Sequence, residues 1–355
     1  MGVFKPLLPV GKQPAILRCV HTAKAVGTSG IFVVTGHMHS EIESLLHANA
    51  PYVKPIYNSG YKKGMFSSAC AGVSALPDGL DGFFLLPADC CAVSPDTLTV
   101  LMERFAENGG VPVTRPKYAG KRGHPPLIPA RYINALLEYN GENGLKGFLS
   151  PLPTFEVEMD SPTALLDMDT PEDYSELLSY LGLSTYPDSA QCAHLITKYS
   201  MPPDIIEHGE HVASLALKIA RLMEPHGKSL NTQLLESACR LHDICRMRPD
   251  HAREGFELLL REGYPKAAML VGSHMDLPGF SGAFGEAELL FLADKICRRG
   301  RFVTLEDAIL EYESKYANEP AALDAAKRRL KTAQAIFDAL KAQYGIGYDE
   351  LKIEN

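Results

Sequence analysis

Six side chains in the second half of the chain have the types and placement of a metal site: His208, the tandem His242-Asp243, His251, His274 and Asp294. Each stands on an apolar helical stripe. His208 lies one turn before Val212 on the stripe Val212, Leu215, Ile219 and Leu222, and His242 shares a face with Leu235 and Ala238. His251 precedes Gly255 and Leu258 at helical spacing, His274 follows Leu270 and Val271 by about one turn, and Asp294 falls between Leu290 and Cys297. Imidazoles and carboxylates on the inward faces of different helices meet inside a bundle. Each would cost on the order of several kcal/mol there without a partner. A shared metal removes that penalty, and neutral imidazole with carboxylate oxygen suits Fe, Mn, Zn, Co or Ni. Such an ion acidifies the water it binds, which supplies a nucleophile. The bland alternative makes each histidine a satisfied core residue.

A second set of carboxylates lies in the first half. Asp89 follows the apolar run Phe83-Phe84-Leu85-Leu86, and Asp169 sits in Leu165-Leu166-Asp167-Met168-Asp169-Thr170-Pro171-Glu172-Asp173. In open α/β sheets ligands bind beyond the carboxyl ends of strands, where two carboxylates can hold Mg²⁺ against a triphosphate. Alternatively, Asp89 starts a loop while Asp167 and Asp173 cap a helix with Thr170 as N-cap and Pro171 as its first residue.

The elements that must position these groups differ between the halves. Residues 1–181 alternate short apolar runs with helical stretches. The runs Ile31–Thr35, Phe83–Leu86, Val111–Thr114 and Phe155–Met159 predict strands in an α/β sandwich with a mostly parallel sheet. From about residue 190 the pattern is helical, with Leu323, Leu330, Phe337 and Leu340 on a last long helix that ends before Gly345. Residues 182–190 read as a linker and 191–345 as an all-α bundle.

Five motifs occur in the order of the molybdopterin nucleotidyltransferase family, which the first half resembles. They are Lys5-Pro6-Leu7-Leu8-Pro9-Val10, Asn58-Ser59-Gly60 through Ser67-Ser68, Leu86-Pro87-Ala88-Asp89, Gly123-His124-Pro125 and Asp167 through Asp173. The molybdenum cofactor cytidylyltransferase branch is most similar. The resemblance implies a Rossmann-like nucleotidyltransferase sandwich in which molybdopterin phosphate attacks the α-phosphate of CTP. It further implies Lys5 and Asp89 as catalytic groups, Mg²⁺ on Asp89 and Asp169, and Lys5, Asn58, Ser67, Ser68 and His124 at the nucleotide or acceptor. A molybdenum hydroxylase apoenzyme is a further partner of that branch. The family's first strand, its Gly-rich turn and the Arg of Arg-Met-Gly are missing before Met1-Gly2. This predicts a domain that lacks its first strand and phosphate loop. Ala88-Asp89-Cys90-Cys91 also departs from the family's Asp-x-Pro.

The second half resembles the HD-domain metal-dependent phosphohydrolases over about residues 195–300. His208-Gly209-Glu210-His211-Val212-Ala213, Leu241-His242-Asp243-Ile244 and Leu292-Ala293-Asp294-Lys295 carry that similarity. It implies His208, His242, Asp243 and Asp294 as ligands of one metal, with Asp243 also catalytic. His251 and His274 match the extra histidines of two-metal members. A nucleotide or small phosphoester is the implied substrate, and Lys295 and Arg246 are candidates to contact its phosphate. His211 and His226 read as surface residues. A sugar-1-phosphate nucleotidyltransferase, or a nucleotide- or pterin-binding module that regulates the HD half, are the competing readings of the first half.

Composition bounds these readings. A net charge of −8, with acidic residues in excess in both halves, excludes a basic nucleic-acid platform. The eight cysteines include no Cys-x-x-Cys pair, which argues against a zinc ribbon or disulfide scaffold and predicts reduced thiols in the cytoplasm. No apolar stretch has the length of a membrane span.

Overall fold

The computed structural model describes residues 2–277, 279–298 and 301–352; Met1 of the opening fragment lies outside them. Two compact units divide between Leu183 and Ser184.

In the first unit apolar runs become strands where turn residues bound them. The strands are β1 (Pro9–Val10), β2 (Gln13–Pro14), β3 (Phe32–Thr35), β4 (Lys54–Tyr57) and β5 (Gly82–Phe84). Then follow β6 (Val113–Tyr118), β7 (Lys121–Arg122), β8 (Leu127–Pro129) and β9 (Thr154–Glu158). Helices α1 (Ala15–Ala25), α2 (His39–Asn49), α3 (Met65–Ser74), α4 (Pro95–Glu107), α5 (Ile133–Glu138), α6 (Gly144–Leu149) and α7 (Pro171–Tyr180) intervene or follow. Ile16, Val20, Val33, Ile42 and Leu46 form one buried cluster. Val73, Phe83, Val113, Ile128, Leu136 and Phe148 form another.

Strand–helix alternation predicts one mostly parallel sheet; instead β3 and β4 form a separate two-stranded parallel pair and the five-stranded sheet is mixed. In that sheet β6–β9 is parallel, but β8 lies antiparallel between β5 and β6, and β7 returns antiparallel from β6. Strand β8 escapes a search for apolar runs because Pro125, Pro126 and Pro129 surround Leu127 and Ile128. Strand β6 starts at Val113, two residues later than the sequence run. Gly109 and Gly110 are still turning at φ 66° and 69°, and Pro112 has no N–H to offer a ladder.

The units divide within residues 182–190, read from the sequence as a linker. Thr185 is buried and its carbonyl accepts from the Lys266 N–H at 3.0 Å. Asp188 and Gln191 form a capping box that opens α8.

The second unit comprises α8 (Ser189–Lys198), α9 (Pro203–Met223), α10 (Thr232–Leu241), α11 (His251–Arg261), α12 (Pro265–Ser273), α13 (Glu286–Ile296), α14 (Leu305–Lys315), α15 (Pro320–Tyr344) and α16 (Tyr348–Leu351). Strands β10 (Cys297–Arg298) and β11 (Arg301–Phe302) form a short antiparallel pair. Helix α13 is the central element: Leu289–Ala293, Lys295 and Ile296 are all buried, as befits a helix apolar nearly all round. The stripe Val212, Leu215, Ile219 packs in the same core with Leu235, Leu330, Phe337 and Leu340, while Leu222 is only partly buried. Gly345 closes α15 in the left-handed conformation (φ 70°), as its position in the sequence predicts. Among the described residues no helix is long and apolar enough to cross a membrane.

Candidate functional sites

Five helices or their ends supply the polar centre of the second unit. His208 stands on α9, and its neighbour Gly209 lets α9 approach α10 closely; a Cβ there would lie 3.0 Å from the Arg240 carbonyl oxygen. That approach brings the rings of His208 and His242 to 5.2 Å. His242 and Asp243 lie just past α10, His251 opens α11, His274 caps α12 and Asp294 rides on α13. At Gly255 a Cβ would meet Val271 at 2.9 Å, so glycine also sets the α11–α12 approach that aligns His251 with His274.

The structure brings all six residues together. Asp294 Oδ1 lies 3.1 Å from His208 Nε2 and 3.5 Å from His242 Nε2. Asp243 Oδ1 lies 3.2 Å from His251 Nε2 and 3.5 Å from His274 Nε2. Two triads can each hold one ion, His208–His242–Asp294 and His242–Asp243–His274, and they share His242.

Second contacts fix which nitrogens point inward. His242 Nδ1 donates to the Cys239 carbonyl at 2.7 Å and His274 Nδ1 to the Val271 carbonyl at 2.6 Å, which leaves both Nε2 lone pairs for the centre. Arg246 donates to His251 Nε2 at 3.2 Å, and that atom lies 3.2 Å from His274 Nε2. Two imidazole lone pairs therefore face each other at contact distance, a repulsion that a cation relieves. His242 Nε2 and Asp243 Oδ1 are buried with no hydrogen-bond partner among the described residues. The donor set and these orphaned atoms fit a borderline transition metal.

Charge balance agrees. Burial alone would raise the Asp294 carboxyl, but Lys295 first, then His208 and His242, hold it well below the usual carboxylate range. Burial likewise opposes ionisation of Asp243, and the histidines around it outweigh that and hold it low. Burial lowers His242, but Asp243 and Asp294 carry it above its ordinary value. For His274 burial dominates and the ring is held down, as a neutral ligand requires. Lys295 is buried and donates to Asp294 Oδ2 at 2.6 Å and to the His274 carbonyl at 3.2 Å. Beside Asp243 opens a pocket of about 150 Å³ lined by Tyr199, Ser200, Arg246, Arg248 and Leu258 among others. Of the histidines read as surface, His226 is exposed against Tyr344, and His211 Nδ1 contacts the Glu207 carbonyl.

In the first unit Asp89 follows β5 and Asp169 precedes α7. Thr170 caps α7 with a full capping box to Asp173, and Pro171 is its first residue. Lys5 stands between the two carboxylates, with Nζ 2.5 Å from Asp169 Oδ1 and 3.6 Å from Asp89 Oδ2. Burial works against the Lys5 charge, but Asp169 first, then Asp89 and Asp167, raise its pKa. Burial, with Asp169, Asp173 and Asp89 nearby, lifts the Asp167 carboxyl despite the Asp169 N–H it accepts. One ammonium thus faces three carboxylates, an oxygen-rich and net negative cluster that fits a hard cation such as Mg²⁺. The Cys90 and Cys91 departure packs beneath this loop: both are buried, and Arg18 Nε donates to the Cys91 carbonyl at 2.9 Å. A cleft of about 350 Å³ opens at Asp167, lined also by Tyr118, Lys121, Leu166 and Glu176.

Asn58, Ser67 and Ser68 come together as a separate knot. Asn58 Nδ2 donates to both serine hydroxyls, at 3.0 and 3.1 Å, and its Oδ1 accepts from the Gly60 N–H. His124 is anchored by its backbone N–H to the Ala164 carbonyl at 2.8 Å, and the His124–Pro125 bond is cis. Its Nδ1 is buried without a partner among the described residues, and burial, then Arg115, push its pKa down against Asp89. Arg115 escaped the sequence reading because the predicted strand stopped at Thr114, one residue short, with Pro116 beyond.

Residues 1–157 match the family model of the MobA-like NTP transferase domain, and residues 205–310 match the HD domain. The molybdenum cofactor cytidylyltransferase of Escherichia coli (strain K12) is 26% identical over 174 residues, 49% of this chain and 86% of that protein. Rv0371c from Mycobacterium tuberculosis H37Rv, a solved structure, is 21% identical with TM-score 0.43 and covers 50% of this chain and 91% of its own. A nucleotidyl transferase from Methanothermobacter thermautotroptrophicus is 24% identical with TM-score 0.42, covering 50% and 85%. The chain therefore carries a MobA-like NTP transferase domain followed by an HD domain.

Proposed function

We propose that the chain joins two activities. Residues 1–181 transfer the cytidylyl group of CTP to molybdopterin with release of pyrophosphate, and residues 191–345 hydrolyse a nucleotide or small phosphoester. The transfer reading is supported by the 26% identity to the Escherichia coli cytidylyltransferase. The hydrolase reading rests on one observation: His251 and His274 face each other through Nε2 at 3.2 Å beside the orphaned Asp243 Oδ1 and His242 Nε2.

In the first half Asp89 and Asp169 would hold Mg²⁺, which offsets triphosphate charge and supports the pyrophosphate as it leaves. Lys5 then exchanges its carboxylate partners for nucleotide phosphate. In the second half one or two divalent ions would sit on His208, His242, Asp243, His251, His274 and Asp294 and acidify water. Lys295 keeps Asp294 ionised and oriented, the backbone carbonyls of Cys239 and Val271 hold the His242 and His274 tautomers, and Arg246 and Arg248 line the adjoining pocket for substrate phosphate.

Two assays test this. Pyrophosphate should form from CTP plus molybdopterin and stop in Asp89→Ala; a wild type that releases none defeats the transfer reading. Metal-loaded protein should cleave a generic phosphoester such as p-nitrophenyl phosphate or a nucleoside monophosphate, and Asp243→Ala should abolish it. Equal turnover by the two would defeat the hydrolase reading.

A further inference from the structure

Strand β6 alternates its side chains between two faces of the sheet. Val113, on one face, joins the core of Phe83, Ile128 and Phe148. Arg115 and Lys117 continue that face toward the carboxyl end of the strand, and Glu156 of β9 stands in register with Arg115. Register alone would pair those two. Glu156 instead accepts from Lys117 Nζ at 2.8 Å and Arg122 Nε at 2.5 Å, so two cations already share its carboxylate.

Arg115 is the cation left over. Its Nε is buried and has no hydrogen-bond partner among the described residues. Burial, then Arg122, weaken its hold on its proton, with Glu156 opposing. His124 Nδ1 is buried and unpartnered among the described residues in the same way, and the Gly123 N–H donates to the Pro116 carbonyl at 2.8 Å, which sets the chain neighbours of Arg115 and His124 side by side. The Leu85 N–H donates to the Pro126 carbonyl at 3.3 Å, which joins the same segment to the strand end that leads to Asp89. A half-buried guanidinium and imidazole, each with a buried and unmet nitrogen, destabilise a fold that an apolar pair would serve better. An arriving anion reverses that balance, because a guanidinium presents a fork of donors to phosphate oxygens.

We propose that Arg115 and His124 form an anion subsite that holds the phosphomonoester of the second substrate. The assignment rests on the transfer reading above. In that reaction an oxygen of the held phosphate forms a bond to the α-phosphorus of the nucleotide. The bond from the α-phosphorus to its bridging oxygen breaks, and pyrophosphate leaves with the electron pair. Arg115 remains protonated throughout; with His124 as the Nδ1–H tautomer, both donate to non-attacking oxygens and turn the third toward phosphorus.

The test uses the full chain with Arg115→Met and, as a conservative variant, Arg115→Lys. The HD centre can also bind phosphate, so the readout is the difference between proteins in an equilibrium titration with inorganic phosphate. Arg115→Met should lose one phosphate site and Arg115→Lys should keep it at least fivefold weaker. Without phosphate, the melting temperature of Arg115→Met should equal or exceed that of wild type. With CTP and molybdopterin, the KM for molybdopterin should rise at least tenfold in Arg115→Met while the KM for CTP stays within twofold. An unchanged number of phosphate sites overturns the proposal. So does a KM effect on CTP alone, or a melting temperature that falls in both variants. A wild type that turns over no CTP but loses a phosphate site in Arg115→Met defeats the transfer reading and leaves the subsite standing.

Discussion

In the helical unit, His242, Asp243, His251 and His274 crowd together with the His242 Nε2 and Asp243 Oδ1 lone pairs unmet among the described residues; in the α/β unit, Asp89 and Asp169 share the ammonium of Lys5. The first arrangement is buried and unbalanced without an added cation, since Asp243 Oδ1 and His242 Nε2 have no hydrogen-bond partner among the described residues. The second is open, with the Asp169 side chain 67% exposed, and it carries its own cation. The contrast teaches how a site can be read without its ligand. A preorganised metal centre shows as orphaned donors in a rigid frame, whereas a site that assembles with substrate shows as charges provisionally paired with each other.

The contrast can be broken at Lys295, which supports the buried centre without facing its interior lone pairs. Lys295→Met removes the donor to Asp294 and to the His274 carbonyl. It should weaken metal affinity about 10–100-fold, the usual effect of losing an outer-shell partner. Competition against a chelator of known affinity measures this, and an unchanged affinity would mean that the ligands orient themselves.

At the open site the opposite sign is expected. Lys5→Met removes an internal competitor for Asp89 and Asp169, so divalent-ion binding there should tighten several-fold, about 1 kcal/mol for a partly exposed charge. Mn²⁺ titration in a His242→Ala, Asp243→Ala background isolates this site. Weaker binding in Lys5→Met would contradict the provisional pairing.

A third carboxylate sharpens the lower end of the scale. Asp276 accepts a bidentate pair of bonds from Arg329 at 3.0 and 2.7 Å, with its side chain 70% exposed. Arg329 first, against the effect of burial, holds its carboxyl below the usual range. A depressed folded-state value means the stabilisation is present above the unfolded value, near pH 4, and is lost as pH falls through the folded one. Arg329→Met should therefore cost about 0.5 kcal/mol or less at pH 7, and the difference from wild type should shrink below pH 4. Denaturant melts at both pH values check it; a deficit that grows in acid would reverse the sign.

Helical spacing was enough to bring the six polar side chains together, because burying a polar residue on an apolar stripe leaves few places for it to point. Thr170 and Pro171 likewise announced the start of α7 through local cap chemistry, and Gly345 announced the end of α15. The sheet was less legible. Its central antiparallel strand β8 is three residues among prolines, and tertiary burial of Leu127 and Ile128 rather than local pattern makes it a strand. The same limit hid Arg115, whose meaning depends on Lys117 and Arg122 having already taken Glu156. Such a leftover charge is a property of register, and no window along the chain contains it. The Lys5 bridge to Asp169 joins residues 164 positions apart; the sequence offers only separate roles for them, Lys5 at nucleotide phosphate and Asp169 on Mg²⁺.

The central claim is that the buried centre is built for metal. Elemental analysis of the purified full chain, wild type beside His242→Ala with Asp243→Ala and beside Asp89→Ala, tests it most directly. The account predicts near-stoichiometric transition metal in the wild type, the same content in Asp89→Ala, and loss in the His242/Asp243 variant. A wild type that neither carries nor takes up transition metal, or a His242/Asp243 variant that retains it, would contradict the account.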